Sequence, residues 1–210
     1  MISDLHVGAG ADKSNIDDMV KIVNDMNADC LFICGDIVDS STSISDIEYL
    51  KQSLEKINTT YGIYAVEGNH EEQCRYDIGK HLEGTDVIFL NDEAALINNE
   101  VVVIGLYNEP NKKVCDIKKE YKIDNKYTIV LQHKPEHLKS IQNDADLVLC
   151  GHTHGYQYPF TAVTTPIFND MRQGIKNFNN MTAVTSSGLS QWGYHTKWPS
   201  HSEVVEIIIN

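Results

Sequence analysis

The strongest constraint on the fold is a set of short, continuous apolar runs that end in glycine or a polar residue. Cys30-Leu31-Phe32-Ile33-Cys34 is such a run and is bounded by Gly35. The pattern recurs at Gly62 to Val66, at Tyr127 to Leu131 and at Leu147 to Cys150. Runs of this kind are typical of strands that are covered on both faces, so they predict a buried sheet.

Segments with helical spacing lie between these runs. Ser14, followed by Asp17, opens one of them and predicts a capped helix. Its apolar positions are Ile16, Met19, Val20, Val23 and Met26. A second helix is predicted from the positions Ile47, Leu50, Leu54 and Ile57, and a shorter helical segment from Glu136 to Gln142. The first part of the chain therefore predicts the order β-α-β-α-β, which belongs to the α/β class.

The middle of the chain has a different texture. Three closely spaced apolar runs occur there, at Val87 to Leu90, Ala94 to Ile97 and Val101 to Ile104. The turn-forming pair Asn98-Asn99 separates the last two, and the close spacing predicts antiparallel pairing. Late strands are predicted at Val184 and at Val204 to Ile209, and Asn177 to Asn180 is predicted to be a surface loop.

Length and cysteine content limit the organisation of the chain. At 210 residues we expect a single domain, residues 1–210. The five cysteines are odd in number and show no C-x-x-C spacing, which favours reduced core thiols and a cytoplasmic location. No apolar run approaches the roughly 20 residues of a membrane span. Met1-Ile2-Ser3 is a short lead into the first motif, so we expect upstream residues, which could carry a membrane anchor.

Polar clusters follow five of the apolar stretches. The clusters are Asp4-Leu5-His6, Gly35-Asp36-Ile37-Val38-Asp39, Gly68-Asn69-His70-Glu71, Gln132-His133-Lys134-Pro135 and Gly151-His152-Thr153-His154. Because the carboxyl ends of strands in an α/β sheet meet in one crevice, we expect these side chains to lie close together. Each cluster alone also fits a helix cap, a turn or an ordinary histidine. Together, their carboxylate, imidazole and amide groups favour a site for manganese, iron or zinc.

The five clusters resemble the motifs of the calcineurin-like metallophosphoesterases: D-x-H, G-D-x-x-D, G-N-H-[ED], H and G-H-x-H, in this order from Asp4 to His154. The resemblance implies a four-layer α/β/β/α sandwich, the metallo-dependent phosphatase fold. The finer resemblance is to a bacterial branch that includes membrane-associated phosphodiesterases and UDP-diacylglucosamine pyrophosphatases. It rests on Gly35 to Asp39, Tyr61 to Val66, Gly151 to Gly155, Gln157 and Ser186-Ser187-Gly188.

The resemblance also implies residue roles. Seven ligands would be divided between two divalent cations: Asp4, His6 and His154 for one, Asn69, His133 and His152 for the other, and Asp36 bridging both. Two ions about 3.5 to 4 Å apart can share a hydroxide that attacks phosphorus. His70 would be the general acid that protonates the leaving oxygen. Asp39 would orient His70, although simple turn formation is an equal alternative for Asp39.

Several residues modify this expectation. Ser40 stands where the protein-phosphatase subgroup carries an arginine, which argues against protein-phosphatase activity. Tyr156 stands where the membrane-associated branch has a second glycine, and a phenol there would narrow the cleft and disfavour lipid-like substrates. Trp192 and Trp198 fit either a cleft wall or the core, and His195 is a candidate pocket residue.

Charge bears on the class of substrate. Seventeen basic and thirty acidic residues give a formal charge of −13, which disfavours binding of long nucleic acids. A small phosphoester, or a phosphate linked to a lipid or a nucleotide, remains compatible because bound cations dominate the local field. We therefore predict hydrolysis of phosphodiesters or pyrophosphates. A non-catalytic metal-binding scaffold with the same fold is the alternative hypothesis.

Overall fold

The computed structural model describes residues 1–123, 125–155, 169–191 and 201–209. The helices and strands in these ranges are α1 Lys13–Asp25, β1 Leu31–Cys34, α2 Ile44–Leu54, β2 Ile63–Val66, the 3-10 turn Glu71–Gln73, α3 Ile78–His81, β3 Val87–Phe89, β4 Glu93–Leu96, β5 Val101–Gly105, α4 Val114–Tyr121, β6 Tyr127–Leu131, α5 Leu138–Ile141, β7 Leu147–Cys150, β8 Gly174–Phe178 and β9 Met181–Thr185. The predicted β1, β2, β6 and β7 are all confirmed.

Helix α1 begins two residues earlier than the sequence predicts. Asp12, and not Ser14, is the N-cap residue: its carboxylate accepts the backbone N–H of Asn15 at 3.0 Å, and the Asn15 side chain accepts the N–H of Asp12 at 3.0 Å. This reciprocal pair satisfies two amides of the first turn. The prediction was wrong because Asp and Ser are both good N-caps, and only the geometry distinguishes them.

Sheet 1 contains three parallel strands in the order β1-β2-β3. Ile2 adds a single parallel bridge to Ile33, which places the first polar cluster beside the second. The prediction that β3 pairs antiparallel with the next run was wrong, because β3 is parallel to β2. Between β3 and β4 the chain passes to the other sheet, with Asp92 in a left-handed conformation (φ 57°). Close spacing along the chain did not reveal this change of sheet.

Sheet 2 contains six strands in the order β4-β5-β6-β7-β9-β8. Its central pairs are parallel, whereas β4 with β5 and β8 with β9 are antiparallel. The loop predicted at Asn177 to Asn180 was wrong in part. Asn177 and Phe178 belong to β8, and only Asn179-Asn180 form the hairpin turn. Burial of Phe178, which is 6% exposed, stabilises this strand end.

The strand predicted at Val204 to Ile209 was also wrong, because the described residues 201–209 form no strand. Val205 exchanges two backbone hydrogen bonds with Met1, at 2.8 and 2.9 Å. Among the described residues this one pair is not extended into a ladder.

Three apolar clusters show how the layers are stacked. One joins α1 and α2 to the outer face of sheet 1, and a second joins α4 and α5 to the outer face of sheet 2. The third lies between the sheets, where Phe32 and Tyr64 of sheet 1 share a core with Ile129, Leu131 and Leu149 of sheet 2. The order is therefore helix, sheet, sheet, helix, which confirms the predicted α/β/β/α sandwich.

The cysteines and the helices bear on two further expectations. All five cysteines are free thiols; Cys34 and Cys150 are buried, whereas Cys30, Cys74 and Cys115 are half-buried. The core-thiol prediction thus holds fully for two of them.

Among the described residues, no helix combines the length and the apolar composition that crossing a bilayer requires.

Helix α1 offers a matched test of the outer core. Ile16 is 1% exposed and Ile22 is 42% exposed, so the same change on one helix samples both environments. We expect Ile16→Ala to lower the free energy of unfolding by about 2 to 5 kcal/mol, because it removes buried methylenes and leaves a cavity. Ile22→Ala should change it by less than about 1 kcal/mol. Urea denaturation followed by circular dichroism measures both, and equal losses would contradict the placement of α1.

Candidate metal centre

The polar clusters lie at the carboxyl ends of strands from both sheets. Asp36 comes two residues after β1, and His152 comes two residues after β7. The first cluster runs alongside the second: the N–H of Asp4 donates to the carbonyl of Gly35, and the N–H of His6 to that of Asp36, both at 3.0 Å. Residues far apart in the sequence are therefore held together by backbone hydrogen bonds.

One group of predicted ligands consists of Asp4, His6 and His154. Nε2 of His154 lies 3.6 Å from Oδ1 of Asp4 and 3.3 Å from Nε2 of His6. Donors about 2.0 to 2.2 Å from one ion stand roughly 3.3 to 3.6 Å from each other in a tetrahedral arrangement. These spacings therefore fit a cation between the three side chains.

A second group consists of Asp36, His133 and His152. Nε2 of His133 lies 3.1 Å from Oδ2 of Asp36 and 3.2 Å from Nδ1 of His152. The Nδ1 of His133 faces the carbonyl of Cys34 at 2.8 Å, and a carbonyl can only accept. This contact therefore directs Nε2 toward the centre, as outer-shell partners of metal-binding histidines commonly do.

Asp36 stands between the two groups. Its Oδ2 lies 3.7 Å from Nε2 of His6 in addition to 3.1 Å from Nε2 of His133. The side chain is almost fully buried, at 1% exposure. These contacts with both groups fit the bridging role predicted for Asp36, which stays a prediction.

Asn69 supplies an independent observation that fits a cation at this centre. Its Oδ1 is buried and has no hydrogen-bond partner among the described residues. A buried amide oxygen without a partner is destabilising, and a cation would satisfy it. The neighbours of Asn69 both lie against Asp36: the N–H of His70 donates to Oδ1 of Asp36 at 2.9 Å, and Gly68 has no room for a side chain beside that oxygen.

Five of the predicted ligands have a left-handed backbone, which is uncommon for residues other than glycine. They are Asp4 (φ 53°), His6 (φ 46°), Asp36 (φ 52°), His152 (φ 74°) and His154 (φ 48°). Such conformations cost on the order of 1 kcal/mol or more each and cluster at functional sites. The surrounding hydrogen bonds must therefore hold this backbone in place.

Close packing at Gly151 is part of the same arrangement. A Cβ atom at this position would stand 2.6 Å from Oδ2 of Asp4. Only glycine lets the β7 end approach this closely, and the backbone N–H of His152 then reaches both carboxylate oxygens of Asp4 at 3.1 Å.

Electrostatics within the second group are dominated by Asp36 and His133. Burial acts to raise the pKa of Asp36, but the charge and hydrogen bond of His133 outweigh it and hold that pKa well below its usual range. Burial lowers and Asp36 raises the pKa of His133, with a net increase to about 9. For His152, burial and the neighbouring His133 lower the pKa to about 4, which favours the neutral imidazole that binds metals.

His70 lies at the edge of both groups. It is half-buried, and its ring meets the ring of His6 edge to face with centroids 4.8 Å apart. Burial is the largest of the effects on its pKa, which is lowered, although Asp36 acts in the opposite direction. Its role as general acid stays a prediction.

Asp39 contacts a predicted ligand. Its Oδ2 lies 3.6 Å from Nδ1 of His6, and its Oδ1 accepts the N–H of Ser41 at 2.7 Å. Burial acts to raise the pKa of Asp39, but the contacts with His6 and Ser41 outweigh it and lower this pKa to about 2. The carboxylate is therefore ionised. Such a carboxylate can orient the His6 ring, whereas the predicted orientation of His70 by Asp39 stays a prediction.

Two features of the centre were missed in the sequence. Glu71 belongs to the third cluster but received no role, and its side chain is buried at 8% exposure. Burial and the charge of Asp36 raise the pKa of Glu71 to about 7. Ser190 donates from both its N–H and its hydroxyl to the carbonyl of Asp4, at 3.1 and 2.9 Å. The position of Glu71 inside a ligand motif was a signal that could have revealed its role. No local sequence pattern indicates the contact of Ser190 with Asp4.

Some sequence-based expectations concern residues outside the described ranges. These are Tyr156, Gln157, Trp192, His195 and Trp198. Ser40 is described and is exposed beside the buried Asp39, so no guanidinium occupies that position.

Comparison with known proteins gives relatives that are longer than this chain. A Helicobacter pylori protein named as an uncharacterized metallophosphoesterase is 29% identical, over 97% of this chain and 57% of that protein. A Bos taurus protein named as a transmembrane protein with metallophosphoesterase domain is 24% identical, over 100% of this chain and 52% of that protein. The chain thus spans a little over half the length of these curated relatives.

A solved structure and a family model complete the comparison. The crystal structure of the Thermus thermophilus protein TT1561 is similar with a TM-score of 0.62, covering 90% of this chain and 88% of that chain at 12% identity, which bears on the fold alone. The family model described as calcineurin-like phosphoesterase matches residues 1–156, well over half of the 210 residues, and this range contains every predicted ligand. The chain therefore belongs to the calcineurin-like phosphoesterase family of metal-dependent phosphoesterases.

Proposed function

We propose that this protein hydrolyses phosphoesters at a centre that holds two divalent cations, drawn from manganese, iron and zinc. The observation that carries the proposal is the position of Asp36, whose Oδ2 lies 3.7 Å from His6 and 3.1 Å from His133. One buried carboxylate thereby links two separate sets of nitrogen and oxygen donors. When bound, a pair of cations supplies a nucleophilic hydroxide near neutral pH and neutralises charge on the phosphoryl oxygens.

The protein residues provide the positions for this chemistry. Asp4, His6 and His154 form one set of donors, and the buried amide oxygen of Asn69 completes the other set with His133 and His152. His70 stands beside both sets, and its proposed role is to donate a proton to the leaving oxygen of the substrate. Burial lowers the pKa of His70, whereas a phosphoester anion next to it acts in the opposite direction and favours the protonated acid.

The proposed substrates are phosphodiesters or pyrophosphates of small size, including those linked to lipids or nucleotides. The exposed Ser40 offers no guanidinium to clamp the terminal oxygens of a phosphomonoester. The net charge of −13 favours compact substrates over long nucleic acids.

Asp36→Asn tests the centre, because it keeps the shape of the side chain and removes the bridging charge. With Mn²⁺, we expect the unaltered protein to hydrolyse bis(p-nitrophenyl) phosphate faster than p-nitrophenyl phosphate, and Asp36→Asn to abolish both activities. Asp18→Asn, on the exposed face of α1, is the matched control and should leave both rates unchanged. Undiminished turnover by Asp36→Asn would refute the mechanism, and bound metal without any turnover by the unaltered protein would favour the scaffold hypothesis.

His70→Ala tests the general acid through the leaving group. For a diester with an alkoxide leaving group, we expect kcat to fall by about 10²- to 10⁴-fold, because the departing oxygen needs a proton. For a p-nitrophenyl diester the loss should be much smaller, since that phenolate leaves without one. His201→Ala, at an exposed position, is the control. An equal loss for both substrates would exclude proton donation and point to a binding role for His70.

For location, we propose the cytoplasm, with membrane contact made by segments outside this chain. The five free thiols support a reducing compartment. The bovine relative is named as a transmembrane protein, which supports membrane contact. Fractionation of cells that produce the native protein tests this. We expect the native protein in the membrane pellet and the 210-residue chain, expressed alone, in the supernatant. Recovery of the native protein outside the cell would contradict the proposed location.

A further inference from the structure

The buried carboxylate of Glu71 accepts hydrogen bonds from the loop that carries Asp36. Glu71 lies in the 3-10 turn directly after His70. Its Oε2 accepts the N–H of Asp36 at 3.0 Å and that of Gly68 at 2.6 Å. Its Oε1 accepts the N–H of Ile37 at 2.6 Å and that of Val38 at 3.1 Å. One side chain thus binds four main-chain amides from two of the ligand motifs.

The backbone conformation explains why these amides converge. Gly35 (φ 81°) and Asp36 (φ 52°) are both left-handed, and the turn points the next N–H groups into a common concavity. A concavity of successive amides is an anion-binding nest. Here the anion is an internal side chain, and without it buried N–H groups would lack acceptors, which is unfavourable.

Glu71 contacts main-chain N–H groups of this loop, whereas the Asp36 side chain contacts another predicted ligand. The Asp36 carboxylate lies against His133 at 3.1 Å and accepts the N–H of His70 at 2.9 Å. Gly68, whose N–H also donates to Glu71, directly precedes Asn69. The contacts of Glu71 therefore fix the backbone at Asp36 and at the residue before Asn69, while the Asp36 carboxylate stays against His133.

We infer that Glu71 is a positioning residue: it locks the left-handed loop at Asp36 and the turn at Asn69 in the geometry that binds cations. This inference rests on the proposed metal centre. Among the described residues Glu71 belongs neither to the two groups of candidate ligands given above nor to a third one, which consists of His6, Asp36 and His70. Its oxygens are occupied by main-chain donors, so it acts through Asp36 and Asn69 without touching the substrate.

The test is calorimetric titration of Mn²⁺ into Glu71→Gln, which keeps the shape but turns an amide NH₂ toward the main-chain donors. We expect an affinity about 10- to 100-fold weaker than that of the unaltered protein, the range typical of outer-shell partners. Glu72→Gln is the matched control: the adjacent side chain is exposed, and its contact is with Asn108. Its affinity should stay within about twofold of the unaltered protein.

The outcomes separate the role of Glu71 from general stability and from the proposed function. Thermal unfolding without added metal gives the folded fraction of each variant. If folded Glu71→Gln binds Mn²⁺ as tightly as the unaltered protein, Glu71 is merely structural and the inference fails alone. If the unaltered protein binds no Mn²⁺, the proposed function fails as well.

A second measurement decides the inference even if Glu71→Gln does not fold. Amide hydrogen exchange in the unaltered protein reports directly on the nest. We expect the N–H groups of Asp36, Ile37, Val38 and Gly68 to be protected as one group with a common opening rate. Free exchange at these amides in the folded protein would show that Glu71 does not hold them, and would overturn the inference.

Discussion

The contact between the buried carboxylate of Asp36 and the imidazole of His133 joins the two halves of the molecule. Asp36 follows β1 in the smaller sheet, and His133 follows β6 in the larger sheet. Their 3.1 Å separation spans the edge where the sheets meet. The apolar layer between the sheets, with Phe32 opposite residues such as Leu131 and Leu149, sets how closely these strand ends approach. The centre therefore depends on sheet packing as much as on its polar residues.

Without a bound cation, the close packing of ionisable side chains at the centre is energetically unfavourable. Histidines and carboxylates stand 3.1 to 3.7 Å apart in a nearly dry environment, and several have a left-handed backbone. Burial of so many ionisable groups is unfavourable unless they are paired. The protonated His133 with a pKa of about 9 is one form of pairing. A divalent cation would be a better one, because under the proposed function it would satisfy carboxylate, imidazole and the amide oxygen of Asn69 together.

The sequence predicted most of this from local patterns. The strands β1, β2, β6 and β7 are continuous apolar runs whose burial on both faces leaves little choice of structure, and the clusters after them converge as the carboxyl ends of strands must. What failed depends on distant partners. The run at Val87 to Leu90 has a strand pattern, but its parallel pairing with β2 is a choice between two sheets that spacing does not encode. Val204 to Ile209 has the right composition, yet it forms no strand, and within the described part of the chain its backbone pairing is that of Val205 with Met1. Glu71 was visible as a motif residue, whereas its four donors come from a turn whose handedness only the structure reveals.

Two carboxylates that are not predicted ligands supply the remaining order at the centre. Asp39 reaches Nδ1 of His6 on one side, and Glu71 reaches the amides around Asp36 on the other. Each supports a predicted ligand of another motif: Asp39 contacts His6 of the first motif, and Glu71 of the third motif binds the amides around Asp36 of the second. This pairing gives a physical reason for the length of the motifs: a ligand in a left-handed loop holds its position only if a neighbouring acceptor satisfies the amides that the loop turns inward. The position of Glu71 three residues after Gly68 thus follows from backbone hydrogen bonding, because from there its carboxylate accepts the N–H of Gly68 and those of the Asp36 loop.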